Sequence, residues 1–274
     1  MKRDLKGILG DLEEPVQEKP LRVEPGTIEP ANQNLLKAYE HCLKNRLGIS
    51  SRPDWKNIHN SHLEAIANSG VETVTGKMIT QFSQAVIAYD GDDYFRFVTG
   101  PFLSALIRMS YGQGNNDFLL DLRQASPVDY LGYAFMGQKH RRLKVRVRGN
   151  LGHACWQKAV YCSTKIEGNV GQIGQSSGFS GFIVAGNLGE ECFSSAWSLD
   201  IKITGNTGKY CIDGAKYCTV TVDGEPGYRF GASAKNTKFI SLSKDTLNYI
   251  KQHAGKGCSF YLLKDRREVL IRQK

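Results

Sequence analysis

A four-residue phrase recurs through the second half of the chain at a nearly constant interval. It reads GNLG from Gly149, GNVG from Gly168, GNLG from Gly186 and GNTG from Gly205, with a worn copy, GEPG, from Gly224. The successive offsets are 19, 18, 19 and 19 residues. Self-similarity at a short fixed period marks a solenoid, because one such unit cannot bury its apolar side alone and must stack on its neighbours. No other feature of the sequence restricts the fold as tightly.

Aligned on the first glycine, the repeats define a coil position by position. Two residues before it stand Val147, Ile166, Val184, Ile203 and Val222, and four before it Val145, Thr164, Phe182, Ile201 and Val220. Residues of this kind at two-residue spacing, ending at a glycine, describe a short strand with one buried face. The pairs Gly149/Gly152, Gly168/Gly171, Gly186/Gly189, Gly205/Gly208 and Gly224/Gly227 then predict a tight corner with positive φ. Between them Asn150, Asn169, Asn187 and Asn206 predict a ladder, each side-chain amide bonded to the coils above and below. Ten residues after the first glycine come Ala159, Gly178, Ala196, Ala215 and Ala234, the fill expected of a crowded inward corner. Cys155, Cys192 and Cys211 share another position, and Cys155/Cys162 and Cys211/Cys218 repeat one spacing. Equivalent slots in stacked coils explain these thiols. Coils about 4.8 Å apart do not by themselves assemble a tetrahedral site, so no metal or other cofactor is expected.

Coils of this length, each rising by one strand spacing, predict a right-handed parallel β-helix over residues 126–243, roughly 25–30 Å long. The period is not a multiple of six, which argues against the hexapeptide acyltransferase helices. Open ends of such a helix expose strand edges that need covering. Residues 244–274 supply one cap: Ser243 starts a helix through about His253, Gly255 ends it, and SFYLL from Ser259 with EVLIR from Glu268 reads as a hairpin around KDRR. The helical half is the candidate cover for the other end.

The repeats resemble the GXGXG β-helix family, whose members include the C-terminal domain of the large glutamate synthase chain and one component of formylmethanofuran dehydrogenase. IKITGNTG from Ile201, TKIEGNVG from Thr164 and KVRVRGNLG from Lys144 carry the resemblance, and YLGYAFMG from Tyr130 is similar to the end of a preceding coil. It covers about residues 128–243. The family's later glycine is present only at Gly231, with Trp156, Gln175, Phe193 and Ile212 in its place, and these bulkier residues are expected to face out of the coil. Nothing in the chain resembles the amidotransferase, flavin or metal-cofactor portions of those enzymes. The resemblance implies a spacer or assembly role and transfers no catalytic residue.

Residues 1–30 hold Pro15, Pro20, Pro25 and Pro30 among Glu13, Glu14, Glu18, Glu24 and Glu29. Proline restricts its own φ and the residue before it, so this stretch is expected to be an extended arm. Residues 31–125 read as a helical domain. Leu35, Leu36, Tyr39, Cys42, Leu43 and Leu47 form one stripe, stopped at Gly48. Ser50 or Ser51 and Pro53 start a second helix carrying Trp55, Ile58, Leu63 and Ile66 as far as Gly70. Val71, Val74, Met78, Phe82, Val86 and Tyr89 make a third, and the run from Tyr94 to Met109 predicts a central helix bent near Gly100 and Pro101. A short segment, Phe118 to Leu122, follows. His59 and His62 share a helix face, but a zinc site needs three or four ligands, so both are read as surface histidines.

The chain of 274 residues is 41% hydrophobic and 23% charged, with no run of roughly 18 apolar residues to span a membrane. Its start lacks the apolar core of a secretory signal, and seven cysteines, an odd number, fit reduced thiols in a cytoplasmic setting. The formal charge of +9 favours acidic partners or nucleic acid. QKHRRLKVRVRG from Gln138 supplies the candidate contacts Lys139, Arg141 and Arg142 and, outward by strand alternation, Lys144, Arg146 and Arg148. Lys165 and Lys202 continue the outward stripe, interrupted by Ile183 and Thr221. Such a row can neutralise phosphates, yet no aromatic residues interleave with it as a single-strand platform requires, and an acidic protein would use the same cations.

For an enzyme no constellation is legible. Asp200, Asp213, Asp223 and Glu225 fall at different repeat positions, Glu190 and Glu191 are expected to point apart, and GxSxG, P-loop and GxGxxG are absent. The sequence therefore reads as an α+β multidomain chain, a helical N-terminal domain followed by a β-helix with a helix/hairpin cap. Its expected role is a non-catalytic scaffold or accessory subunit binding other proteins. RNA binding through the basic face is the alternative, and a site in the solenoid groove the second.

Overall fold

The computed structural model describes residues 30–46, 55–174, 178–264 and 267–273. The Pro/Glu-rich arm as far as Glu29, Leu47, Gly48, the helix start at Ser50, Ser51 and Pro53, and Gln175 lie outside them, while Pro30, expected to end the arm, is the first residue of a helix. Strands β1 (Asp117–Leu122), β2 (Leu143–Gly149), β3 (Cys162–Glu167), β4 (Gly181–Val184), β5 (Asp200–Ile203), β6 (Thr219–Val222), β7 (Lys238–Ser241) and β8 (Ser259–Lys264) each pair in parallel with the next. Strand β9 (Arg267–Gln273) ends the sheet antiparallel to β8. Sheet order equals chain order, as one strand per coil requires. The fold is the parallel β-solenoid that the repeats predict. Its register stacks Val147, Ile166, Val184, Ile203 and Val222 in one buried column. Phe118 to Leu122, which the sequence leaves in the helical half, is part of the first strand.

The corner glycines answer to their neighbours in space. A Cβ on Gly168 would stand 2.2 Å from the Gly149 carbonyl oxygen, one on Gly186 2.3 Å from that of Gly168, and one on Gly205 2.4 Å from that of Gly186. Close approach of the preceding coil therefore excludes a side chain. The expected positive φ occurs among the first glycines only at Gly149, at 128°, and not at Gly168, Gly186, Gly205 or Gly224.

The second glycines of the phrase correct the same expectation. None of Gly152, Gly171, Gly189, Gly208 and Gly227 has a positive φ. They too are held to hydrogen by a close neighbour. A Cβ on Gly152 would stand 1.9 Å from the Asp129 carboxylate, and one on Gly171 2.9 Å from the Gly152 carbonyl oxygen. On Gly189 it would meet the Gly171 oxygen at 2.0 Å, on Gly208 the Gly189 carbonyl carbon at 2.5 Å, and on Gly227 the Gly208 oxygen at 2.3 Å. Both glycines of each phrase make room for the coil before them.

The asparagine ladder also differs from expectation. The Oδ1 atoms of Asn150, Asn169, Asn187 and Asn206 accept the backbone N–H of Asn169, Asn187, Asn206 and Glu225 at 2.8–2.9 Å. Side chain bonds to backbone because the corner leaves a main-chain donor over in each coil.

Left-handed backbone lies further round. Trp156, Phe193 and Ile212 have φ of 53°, 58° and 64°, a left-handed conformation that favours glycine and that Gly231 shares at 68°. All three are fully buried, which overturns the expectation that they face outward. Trp156 meets Phe135 and Phe182 edge-on at 6.4 Å, and Phe182 meets Phe193 at 5.0 Å. Left-handed strain of about 1–2 kcal/mol is offset by the roughly 1.5–3 kcal/mol gained on burying a large apolar side chain. Ala159, Ala196, Ala215 and Ala234 fill the inward corner as expected. Gly178 does not belong with them: its N–H bonds to the Trp197 carbonyl, so the shorter second repeat sets it level with Trp197.

Helices α1 (Pro30–Lys44), α2 (Trp55–Asn68), α3 (Gly76–Ala85) and α4 (Phe95–Gly112) share one continuous core with the coils. Thr75 caps α3, starting it after Val71 and Val74. This helix closes the first edge of the sheet: the Thr80 hydroxyl donates to the Leu119 carbonyl at 2.8 Å, and the Asp121 N–H donates to the Ser83 hydroxyl at 2.9 Å. Gly100 on α4 lies where a Cβ would stand 1.9 Å from the Asp129 carbonyl oxygen. Arg96 holds the Asp129 carboxylate through two bonds of 3.0 and 3.1 Å, and that carboxylate accepts the His153 N–H at 2.7 Å. His62 is not on the surface. It is fully buried, donates Nδ1–H to the Ile58 carbonyl at 2.7 Å, and burial lowers its pKa from the ordinary value. At the far end α5 (Lys244–His253), capped by Ser243, buries Leu247 and Ile250 against the last coil.

The approach of stacked corners predicts a sharp contrast between glycines. Gly186→Ala should destabilise by at least about 2–3 kcal/mol in chemical denaturation, as overpacking does. Gly214→Ala, whose Cβ would meet nothing closer than 3.6 Å, should lose only about 1–2 kcal/mol from its left-handed φ.

Candidate interaction surfaces of the solenoid

Strand alternation turns Lys144, Arg146 and Arg148 outward while Val145 and Val147 are buried. Parallel register then sets Arg146, Lys165, Ile183, Lys202 and Thr221 in one outward column, the predicted stripe with its two interruptions. Carboxylates sit among these cations. Arg146 pairs with Asp117 at 3.2 Å, and Arg148 and Lys165 both reach Glu167, at 3.3 and 3.0 Å. Arg141 lies over the Tyr111 ring at 4.2 Å, and Arg142 donates to the Phe179 carbonyl at 2.6 Å. Lys139 is exposed on the preceding turn. The basic run is thus brought to one face, but much of its charge is balanced there.

Asp200 shares this face, in the column running from Lys144 through Ser163, Gly181 and Thr219 to Lys238. It is 4% exposed, and burial pushes its pKa up to about 7, with Lys238 pulling it down and Glu268 pushing it up. Lys238 is itself ion-paired with Glu268.

The thiols are interior fill. All seven cysteines are free and buried, and burial pushes Cys155 and Cys162 up to about 12. Cys211, Cys218 and Cys258 donate to backbone carbonyls at 3.0, 3.3 and 3.2 Å. Among the described residues no three His, Cys, Asp or Glu side chains come together as a metal-ligand set. A groove of about 740 Å³ runs between the Asp90–Asp93 turn and the asparagine ladder, with His153 on its floor. The Asp90 carboxylate accepts the Ser126 N–H and hydroxyl at 3.1 Å, and Asp92 accepts the Tyr94 N–H at 2.8 Å. Asp92 thus holds its own turn, and Asp90 ties that turn to the segment before the first coil. Glu190 and Glu191 diverge to Lys209 and Gln172.

Two surfaces were not legible as sites in the sequence. At the end of the sheet, β9 has only β8 beside it among the described strands, and its Val269 and Leu270 are 50% and 49% exposed. On the corner before each strand, Tyr161, Phe179, Trp197 and Tyr217 give four successive coils one ring each, 5.4, 6.0 and 6.4 Å apart, with Trp197 one residue before the place that Phe179 and Tyr217 share and that Ser198 takes in its coil. Bridges place Lys216 and Lys235 in the column of Trp197. Rings and cations therefore stand side by side on the corner rather than on the sheet face. A 19-residue alignment with one 18-residue repeat hides this, because it puts Phe179 and Tyr217 at different counts from the glycine.

Comparison with known proteins finds no matching family model, curated protein or solved structure. No described helix is long and apolar enough to cross a membrane.

The buried carboxyl on the sheet face makes a pH prediction. Below about pH 4 Asp200 is protonated in folded and unfolded chains alike; between there and about pH 7 only the unfolded chain releases the proton, so stability falls as pH rises. Asp200→Asn should raise Tm at pH 8 by a few degrees, about 2–4 °C per kcal/mol recovered, and leave it unchanged near pH 3.5.

Proposed function

We propose that the protein is a non-catalytic scaffold or accessory subunit that holds another protein through the open end of its sheet. The observation that carries this reading is the asymmetry of the two edges. At β1 the hydroxyls of Thr80 and Ser83 on α3 occupy the strand's outer groups. At β9 a seven-residue strand ends the sheet with two half-exposed apolar side chains. An edge strand that no other described strand covers is a template for strand addition, in which main-chain hydrogen bonds give affinity and alternate side chains give selectivity. Asp90 and Asp92 in the groove, engaged by Ser126 and by the Tyr94 N–H, and the buried thiols support a non-catalytic role. The resemblance of the repeats to GXGXG β-helices, with the spacer role it implies, points the same way.

Affinity purification from the native host tests the reading. The unaltered chain should recover one stoichiometric partner, and Val269→Lys with Leu270→Lys, which charge the edge, should lose it at unchanged Tm. Recovery of the protein alone, or a partner indifferent to both substitutions, would sink the proposal.

A further inference from the structure

We propose that the corner column of Tyr161, Phe179, Trp197 and Tyr217, with Lys216 and Lys235 beside it, binds a single-stranded polynucleotide. This goes beyond the scaffold reading and uses a different surface. Four successive coils each supply one ring, and the separations of 5.4, 6.0 and 6.4 Å follow the coil rise of about 4.8 Å. Trp197 is 40% exposed and Tyr217 51% exposed, so the rings are not simply core that reaches the surface.

The backbone at this corner does not itself call for rings. Tyr161, Phe179 and Tyr217 have φ of 51°, 58° and 57°, a left-handed conformation that favours glycine or asparagine; Ser198 and Asn236, at 60° and 50°, fill the equivalent place in two other coils, and Trp197 stands one residue before Ser198. Bulky aromatic residues are uncommon in this conformation. Elsewhere in the coil such residues are fully buried, as at Trp156 and Phe193, or half-buried, as at Tyr130 and Tyr210; what sets the corner rings apart is ring-to-ring contact carried across four coils.

Ring and cation together select the ligand. Base faces stack on aromatic side chains whatever the sequence, and phosphates meet ammonium groups. Lys216 and Lys235 are exposed and stand in the same column as Trp197. Arg142 adds a guanidinium at the Phe179 end, and the neighbouring sheet column contributes Lys238, paired with Glu268, and the buried Asp200. A neutral glycan would use the rings and gain nothing from the lysines. An acidic protein would use the lysines and leave a four-ring column idle. A duplex keeps its base faces inside.

The test is fluorescence anisotropy of labelled oligouridylate and oligodeoxythymidylate, about 12 nucleotides long, titrated with the full chain between about 50 and 200 mM salt. Both should bind, with a log K against log salt slope of about −1.4 for two phosphate contacts. Trp197→Ala and Tyr217→Ala should each weaken binding at least about fivefold, Trp197→Phe should keep it, and Lys216→Glu with Lys235→Glu should abolish it. The Val269→Lys, Leu270→Lys chain should bind as the unaltered one does, which separates this site from the open edge. Absence of binding at low salt would overturn the proposal. Equal affinity for a 12-base-pair duplex, displacement by heparin with no dependence on Trp197, or binding of a neutral oligosaccharide instead of either strand would do the same.

Discussion

The approach of one coil's corner to the carbonyl of the coil before it sets the geometry of the molecule. A Cβ on Gly205 would reach within 2.4 Å of the Gly186 oxygen, and one on Gly224 within 2.2 Å of the Gly205 oxygen. With only hydrogen in that space, the coils close to strand spacing and the parallel ladder forms. The asparagine between the two glycines then takes up the backbone donor that the corner leaves over. Inside, stacking fixes what each position can hold: β-branched residues on the strands, alanine at the inward corner, cysteine beside the left-handed positions and large apolar side chains such as Trp156, Phe193 and Ile212 in them. The pattern that reads as chemistry in one dimension is fill in three.

Stacking has a cost at its ends, since the first and last strands each present an unpaired edge. The two ends are handled differently. Helix α3 brings hydroxyls to β1, and the Arg96–Asp129 pair ties α4 to the first coil. At the other end α5 covers the interior of the last coil, but the sheet continues through β8 into β9. Covering the core and covering the edge are separate tasks, and only one end does both with described elements. That difference is why the scaffold reading rests on β9 and not on the basic sheet face, where Asp117 and Glu167 balance Arg146, Arg148 and Lys165.

The glycine phrase made the solenoid legible because its period is a direct image of the coil. The strand registers, the Ser243 cap and the hairpin followed from alternation and cap chemistry, which are local. What was not legible depends on contacts between coils. Positive φ is the usual reason for glycine, and nothing in GNLG distinguishes it from a carbonyl pressing in from the next coil. Gly208 and Gly227 show the point, since each is hemmed in by the equivalent glycine one coil earlier and neither is left-handed. Trp156, Phe193 and Ile212 look like surface replacements for a glycine, although the same left-handed backbone points them inward. His62 reads as polar and hence exposed, yet its Nδ1–H is satisfied within its own helix by Ile58. The aromatic column was hidden by the single missing residue in the second repeat, which shifts Phe179 by one place against Tyr217.

The claim that carries the most weight is that the corners lock coil to coil through asparagine and backbone. Native-state hydrogen exchange read at the amides of Asn169, Asn187 and Asn206 measures this directly. These residues are at least partly exposed, so their side chains alone suggest fast exchange. If each N–H is held by the Oδ1 of the preceding coil, all three should exchange only through opening of the stack, with protection close to that of the strand interior at Val184 and Ile203. Exchange at the rate of an open turn at these amides, with the strands still protected, would contradict the account.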